Sequence, residues 1–159
     1  MKLNLFQFTP TTEVEGPGLR ACIQVQGCPI RCPDCGVPQT WQKRGGTIVD
    51  SNYLVKQILE GRPLVEGVTF LGGEPFAQAT VLADIARKLK HNGLSVVTFT
   101  GYTLEFLQNE KRPDYDALLS VTDLPEIVNV VVASTVKITL LFLSGYQYLW
   151  HHLLLLYLG

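Results

Sequence analysis

The chain has 159 residues, of which 47% are hydrophobic and 17% are charged, and its formal net charge is -1 at pH 7. This length fits one domain that is large enough to bury a hydrophobic core. Because the net charge is close to zero, no overall field attracts nucleic acid or an anionic membrane surface. We therefore expect no nucleic acid partner and no membrane association.

All four cysteines of the chain lie between residues 22 and 35. Disulfide scaffolds spread their cysteines through the chain, so this crowding favours a metal site in a reducing compartment. The first eight residues alternate apolar and polar side chains, and they lack the unbroken apolar stretch of a secretion signal. The sequence therefore predicts a cytoplasmic protein.

The first predicted strand covers residues 19–26, after a turn that contains Glu-Gly-Pro-Gly. Along it, Ala21, Ile23 and Val25 alternate with polar or small side chains, which is the period of a strand. Cys22 therefore points to the face opposite the aliphatic residues.

The cysteine loop, residues 28–35, follows this strand directly and contains Cys28, Cys32 and Cys35. These spacings allow one loop to wrap a single metal centre, and thiolates are the ligands that iron-sulfur clusters and zinc prefer. Three thiolates around four irons would leave one iron without a protein ligand, which favours chemistry over scaffolding. A closed zinc site that also uses Cys22, or a redox disulfide, would fit the same spacing.

Helices and strands alternate through the rest of the first 110 residues. The pattern predicts helices over residues 51–60, 79–90 and 103–110, and strands over residues 68–71 and 95–100. Such alternation is typical of parallel β-α units with right-handed crossovers, in which the carboxyl ends of the strands lie on one face. Active sites of α/β proteins are found on that face.

Two further turns follow predicted strands and are therefore expected beside the cysteine loop. The first is the Gly-Gly-Glu-Pro turn, residues 72–75, and the second is Thr100-Gly-Tyr-Thr103. Paired glycines let a backbone approach a ligand without interference from Cβ and leave N–H and C=O groups free to bind it. Glu74 adds a carboxylate that can accept a hydrogen bond from an ammonium group.

These motifs together resemble the radical S-adenosylmethionine superfamily. More narrowly, Glu15-Gly-Pro-Gly-Leu-Arg20, Gly27-Cys-Pro-Ile-Arg-Cys-Pro-Asp-Cys35, Phe70-Leu-Gly-Gly-Glu-Pro75 and Thr100-Gly-Tyr-Thr103 resemble the activating proteins of anaerobic ribonucleotide reductase. The resemblance covers residues 1–124. It implies an α/β fold, a partial (β/α) barrel of the radical S-adenosylmethionine type.

The resemblance also implies a role for individual residues. Three cysteines, Cys28, Cys32 and Cys35, would hold a 4Fe-4S cluster whose fourth iron binds the amino and carboxylate groups of S-adenosylmethionine. The remaining cofactor contacts would come from Gly72, Gly73 and Glu74 at the amino group, from Asp34 and Gly36 at the adenine through their backbone, and from Thr100 near the ribose. Four basic residues, Arg20, Arg31, Lys43 and Arg44, are candidates to balance the cofactor carboxylate or the cluster charge; for Lys43 and Arg44 a solvated surface charge is the alternative.

The implied activity is an oxidoreductase reaction. Reduction of the cluster by one electron would cleave S-adenosylmethionine and release a 5'-deoxyadenosyl radical, which would take hydrogen from a glycine of a partner enzyme. The implied partners are a glycyl-radical enzyme, the large subunit of anaerobic ribonucleotide reductase, and an electron donor such as flavodoxin or ferredoxin. The protein would supply placement and exclusion of water, while the cofactors carry the radical chemistry.

The C-terminal part is expected to differ from this family. We predict a radical S-adenosylmethionine-like domain over residues 1–125 and a divergent apolar tail over residues 126–159. From residue 127 onward Lys137 is the only Lys, Arg, Asp or Glu. A membrane span over residues 136–158 and a divergent or out-of-frame end are alternative interpretations of this tail.

Three functional hypotheses follow from the sequence. The first is a radical-generating activating enzyme. The second is a zinc-binding structural module that uses Cys22 with the three cysteines of the loop. The third is an inactive, truncated relative that still holds a cluster.

Overall fold

The computed structural model of the protein describes residues 1–127. The strands are β1 (Lys2–Thr12), β2 (Arg20–Val25), β3 (Thr47–Asp50), β4 (Gly67–Gly72), β5 (Ser95–Thr100) and β6 (Leu124–Ile127). The α-helices are α1 (Ser51–Glu60), α2 (Ala79–His91), α3 (Leu104–Asn109) and α4 (Pro113–Leu119), and short 3-10 helices cover Pro38–Thr40 and Pro75–Gln78.

The six strands form one mixed sheet in the order β3-β1-β2-β4-β5-β6. The strands β2, β4, β5 and β6 run parallel to one another, whereas β1 is antiparallel to both of its neighbours, β2 and β3. The predicted parallel β-α units are therefore confirmed. The mixed α/β sheet is compatible with the partial barrel that the sequence predicted.

Two of the helices, α1 and α3, begin at side chains that cap them. The Asp50 carboxylate accepts a hydrogen bond from the backbone N–H of Asn52 (2.9 Å), and the Thr103 hydroxyl accepts one from Phe106 (3.1 Å). Capping of this kind stabilises a helix by roughly 1 kcal/mol because it satisfies an N–H group that has no partner in the first turn. The predicted starts of α1 and α3 are thereby explained.

The hydrophobic core lies between the sheet and helices α1 and α2. The fully buried face of α2 consists of Leu82, Ile85, Ala86 and Leu89, as the periodicity predicted. These side chains belong to one cluster with the aliphatic and aromatic residues of the strands, which include Ile23, Val68 and Phe70. Each such large side chain contributes roughly 1.5–3 kcal/mol by leaving water.

The other face of the sheet is covered near the amino ends of β2 and β4 by the segment between β1 and β2. Cys22 and Thr69 are register partners on β2 and β4, and each follows a core residue on its strand, so both point away from the helices. The Thr69 hydroxyl donates a hydrogen bond to the Glu15 carbonyl (2.6 Å), which holds this segment against the sheet. The cavity described below lies at the carboxyl ends of these strands.

None of the helices within residues 1–127 is both long and apolar enough to cross a bilayer. The alternative interpretations of residues 136–158 concern a segment outside the described residues. The proposed division at residue 126 therefore stays a prediction.

Candidate metal centre

A cavity of about 260 Å³ opens at the carboxyl ends of β2, β4 and β5. The residues around it come from the cysteine loop, the Gly-Gly-Glu-Pro turn and the end of β5, which the sequence predicted to lie together. The predicted site residues that line it are Cys28, Cys32, Cys35, Gly36, Gly72, Gly73, Glu74 and Thr100. Gly101, from the turn that was expected near the ribose, also lines it, together with Glu15, Ile30 and Phe99, which were not predicted as site residues.

The three cysteines of the loop line this cavity and are partly exposed. Burial and the neighbouring thiols of Cys28 and Cys35 raise the pKa of Cys32. Three thiolates in one small space repel one another, and a bound cation relieves that repulsion. The backbone N–H of Val37 donates a hydrogen bond to the Cys35 sulfur (3.4 Å), which stabilises negative charge on that atom.

The sulfurs are not arranged around a single ion. Within residues 1–127, no three His, Cys, Asp or Glu side chains are placed to hold one metal ion together. A cluster of four irons is wider than an ion, so its thiolate ligands stand farther apart than those of a zinc site. Three soft thiol donors that face one shared cavity fit such a cluster.

The two glycines of the Gly-Gly-Glu-Pro turn lie where the backbone is too crowded for a side chain. Gly72 has a φ of 101°, and a Cβ there would lie 2.7 Å from the Val25 nitrogen. At Gly73 a Cβ would lie 2.4 Å from the Gly27 carbonyl oxygen. This close approach brings the turn beside the residue that precedes Cys28, and the Glu74 N–H donates a hydrogen bond to the same carbonyl (3.0 Å).

The Glu74 side chain is buried, with 1% of its surface exposed. Its carboxylate accepts hydrogen bonds from the Phe76 N–H (2.9 Å), the Thr100 hydroxyl (2.9 Å) and the Gly101 N–H (3.0 Å). Burial raises the pKa of this carboxyl, and the hydrogen bonds oppose that rise. Glu74 therefore joins the end of β4 to the end of β5 while it lines the cavity.

Two predicted adenine contacts differ in their position. Gly36 lines the cavity, and a Cβ at this glycine would meet no atom within 4 Å. Asp34 is exposed, has a φ of 56° and does not belong to the residues around the cavity. The cofactor contacts assigned to Asp34, Gly36 and Thr100 stay predictions.

Cys22 lies apart from the other cysteines. It has 1% of its surface exposed, and it is not among the residues that line the cavity. Burial, followed by the nearby charge of Glu15, raises the pKa of its thiol to about 12. A ligand thiol must give up its proton to bind a metal, so this position disfavours the zinc site that the sequence left open.

The reactivity of the thiols tests this difference. At pH 8 a thiol with a pKa of about 12 is ionised in only about one molecule in ten thousand. In folded, metal-free protein we expect iodoacetamide to alkylate Cys22 at least about a hundredfold more slowly than Cys35, since the thiolate is the nucleophile. Mass spectrometry of peptides taken at successive times measures both rates, and equal rates would contradict the burial of Cys22.

The predicted role of Arg20 is corrected by the structure. Its guanidinium is buried at the amino ends of the strands, where it donates hydrogen bonds to the Thr69 hydroxyl (2.8 Å), the Val68 carbonyl (2.8 Å) and the Ser95 hydroxyl (2.9 Å). The predicted cofactor site lies at the opposite, carboxyl ends. Arg20 therefore joins the amino ends of β2, β4 and β5 by hydrogen bonds and does not balance a charge in the cavity.

Comparison with known proteins agrees with this geometry. Residues 14–148 match the family described as a 4Fe-4S single cluster domain, and this match extends beyond residue 126. The chain is 34% identical over 116 residues to a pyruvate formate-lyase-activating enzyme of Clostridium pasteurianum, which corresponds to 70% of this chain and 45% of that protein.

Two further relatives carry similar names. A putative glycyl-radical enzyme activating enzyme of Haemophilus influenzae is 33% identical over 64% of this chain and 40% of its own length. The pyruvate formate-lyase 1-activating enzyme of Escherichia coli K12 is 34% identical over 76% of this chain and 49% of its own length. The aligned part of the chain thus spans less than half the length of these curated relatives. Because the family match covers most of the chain, the protein belongs to the family of 4Fe-4S single cluster domains.

Proposed function

We propose that this chain acts as a glycyl-radical enzyme activating enzyme that holds a 4Fe-4S cluster and uses S-adenosylmethionine. The observation that carries the proposal is the shared cavity, which brings three thiols and the Gly-Gly-Glu-Pro turn together at the carboxyl ends of three strands. The names of the relatives support the same class of activity.

The residues around the cavity fit both cofactors. Three thiols supply the soft ligands of a 4Fe-4S cluster, and no fourth cysteine of the chain lines the cavity. Beside them, Gly72 and Gly73 expose backbone where a larger residue would collide with the main chain. This exposed backbone, with the carboxylate of Glu74, provides hydrogen-bond acceptors for an amino group.

The bound cofactors would supply one-electron reduction and cleavage of the sulfonium, and the chain would supply their placement. The thiolates of Cys28, Cys32 and Cys35 would fix the cluster at one wall of the cavity. The Gly-Gly-Glu-Pro turn is hydrogen-bonded to Gly27, so the binding surface for the nucleotide is tied to the start of the cysteine loop. Apolar walls from Phe99 and Ile30 would restrict water around the reacting groups.

The partner enzyme within this class has two candidates. The resemblance carried by residues 15–20, 27–35, 70–75 and 100–103 predicts anaerobic ribonucleotide reductase. The relatives described above are instead named for pyruvate formate-lyase or for glycyl-radical enzymes in general. The ribonucleotide reductase assignment therefore stays a prediction. The flavodoxin or ferredoxin donor and the cytoplasmic location are also predictions from the sequence.

The proposal is tested by purifying the chain without oxygen and measuring iron, sulfide and zinc. We expect brown protein with about four irons and four sulfides per chain, as a single 4Fe-4S cluster requires. Addition of dithionite and S-adenosylmethionine should then produce 5'-deoxyadenosine. Zinc without sulfide would support the structural module, and a cluster without 5'-deoxyadenosine would support the inactive relative.

A second experiment separates the candidate partners. The loaded protein is mixed with pyruvate formate-lyase in one sample and with the large subunit of anaerobic ribonucleotide reductase in another. A glycyl radical detected by electron paramagnetic resonance in only one mixture identifies the class of partner. A glycyl radical in neither mixture, from protein that forms 5'-deoxyadenosine, would contradict both partner assignments.

A further inference from the structure

Backbone hydrogen bonds close the cysteine loop at its base, at Gly27 and at the first cysteine, Cys28. The backbone N–H of Gly27 donates to the Thr40 carbonyl (2.8 Å), and that of Cys28 donates to the Trp41 carbonyl (3.2 Å). The chain thus leaves the end of β2, makes the loop and returns beside its own starting point. A loop whose ends are hydrogen-bonded in this way keeps a defined shape only while those hydrogen bonds are formed.

The Gln26 side chain forms two further hydrogen bonds to the returning segment, residues 39–42. Its amide nitrogen donates hydrogen bonds to the Gln39 carbonyl (2.9 Å) and to the Gln42 carbonyl (2.8 Å). A primary amide carries two N–H donors, so both are used on the returning segment. The residue has 4% of its surface exposed, and water is therefore poorly placed to replace either bond.

The rest of the loop has few attachments of its own. Among the hydrogen bonds of residues 1–127, the one from the Val37 N–H to the Cys35 sulfur is the only one that involves residues 29–36. Ile30 packs close to Gly101: a Cβ added at Gly101 would lie 2.7 Å from the Cδ1 atom of Ile30. The positions of Cys32 and Cys35 therefore depend largely on how the base of the loop is closed.

We propose that Gln26 is a positioning residue for the metal centre. By holding residues 39–42 against the end of β2, its amide sets the distances between the sulfurs of Cys28, Cys32 and Cys35 before the cluster binds. The inference rests on the cysteines being the cluster ligands, and it does not depend on the identity of the partner enzyme. It also makes a prediction for the metal-free chain, which separates it from the proposed activity.

A matched control is available in Gln78. Its amide nitrogen also donates to two backbone carbonyls, those of Asn4 (2.8 Å) and Gln26 (2.9 Å), and neither of these bonds reaches residues 39–42. Replacing either glutamine by methionine keeps the length of the side chain and removes both donors. The two variants thus lose the same number of side-chain N–H donors at different places.

The experiment compares amide hydrogen exchange in metal-free wild-type protein, Gln26→Met and Gln78→Met. Removal of two hydrogen bonds is expected to accelerate exchange at Gly27 and Cys28 by about tenfold or more in Gln26→Met. In Gln78→Met the Cys28 amide should exchange at a rate within about threefold of the wild type, and this amide is the one compared between the variants, because Gln78 binds the carbonyl of the peptide group that carries the Gly27 N–H. Equal acceleration in both variants, or none in Gln26→Met, would overturn the proposal.

A spectroscopic measurement on the loaded protein gives a second, independent readout. Since the sulfurs set the symmetry of the cluster, Gln26→Met should broaden or shift the electron paramagnetic resonance signal of the reduced cluster, while Gln78→Met should keep the wild-type line shape. If Gln26→Met fails to fold, Gln26→Asn retains an amide that is one methylene shorter and should show the same changes. A wild-type line shape with wild-type exchange in Gln26→Asn would contradict the role of Gln26.

Discussion

Cys32→Ala protein, purified without oxygen, is expected to contain at least about tenfold less iron and sulfide than the wild type, because a cluster held by two thiolates loses much of its binding free energy. Cys32 lines the cavity together with the other two cysteines of the loop. Iron and sulfide analysis, with the visible absorption of the cluster, measures the loss. Retention of a full cluster in this variant would contradict the ligand assignment.

Cys22→Ala is the matched control for this substitution. Cys22 is a cysteine of the same chain, but it lies buried on β2 and does not line the cavity. We expect this variant to keep wild-type amounts of iron and sulfide. Loss of metal from Cys22→Ala at unchanged folding would favour the zinc-type site with four thiolates.

Gly73→Ala is expected to destabilise the metal-free protein by roughly 1–3 kcal/mol, as overpacking against rigid atoms does. The new Cβ would lie 2.4 Å from the Gly27 carbonyl oxygen and 3.0 Å from that of Val25. Both neighbours are backbone atoms at the carboxyl end of β2, so the turn must move away from the cysteine loop. Urea unfolding gives the change in stability, and calorimetric titration with S-adenosylmethionine gives the expected loss of affinity in the loaded variant.

Gly36→Ala is the control for the effect of adding one methyl group to a glycine beside the cavity. A Cβ at Gly36 would meet no atom within 4 Å, and this glycine does not have a positive φ. The free energy of unfolding should therefore stay within about 0.5 kcal/mol of the wild type. A Gly36→Ala variant as unstable as Gly73→Ala would show that crowding at Gly73 is not the cause.

Three of the four parallel strands were predictable from local patterns, whereas β6 was not predicted. Alternation over residues 19–26 and the apolar face of residues 79–90 identified β2 and α2, because each pattern reports directly on a buried face. The antiparallel strands β1 and β3 were missed. β3 is only four residues long, and its register with Lys2–Leu5 is a long-range pairing that no local pattern reveals.

The residues of the candidate site were likewise predictable where they follow a local pattern and were missed where they depend on long-range contacts. The three cysteines and the Gly-Gly-Glu-Pro turn were found because parallel strands bring their carboxyl ends to one face. Arg20 was assigned wrongly although the predicted strand over residues 19–26 already placed it at the amino end, because its charge alone suggested a role in the site. Gln26 was read only as a strand residue, because the carbonyls it binds lie 13 and 16 residues farther along the chain.

If Cys28, Cys32 and Cys35 hold the cluster, one iron would lack a protein ligand and would be free to bind S-adenosylmethionine. Electron-nuclear double resonance on the reduced cluster, with ¹⁵N in the amino group of the nucleotide, tests this binding most directly. We predict a coupling between the cluster and the labelled nitrogen, together with a change in the electron paramagnetic resonance spectrum when the nucleotide is added. A spectrum that is unchanged by the nucleotide, with no nitrogen coupling, would contradict this binding.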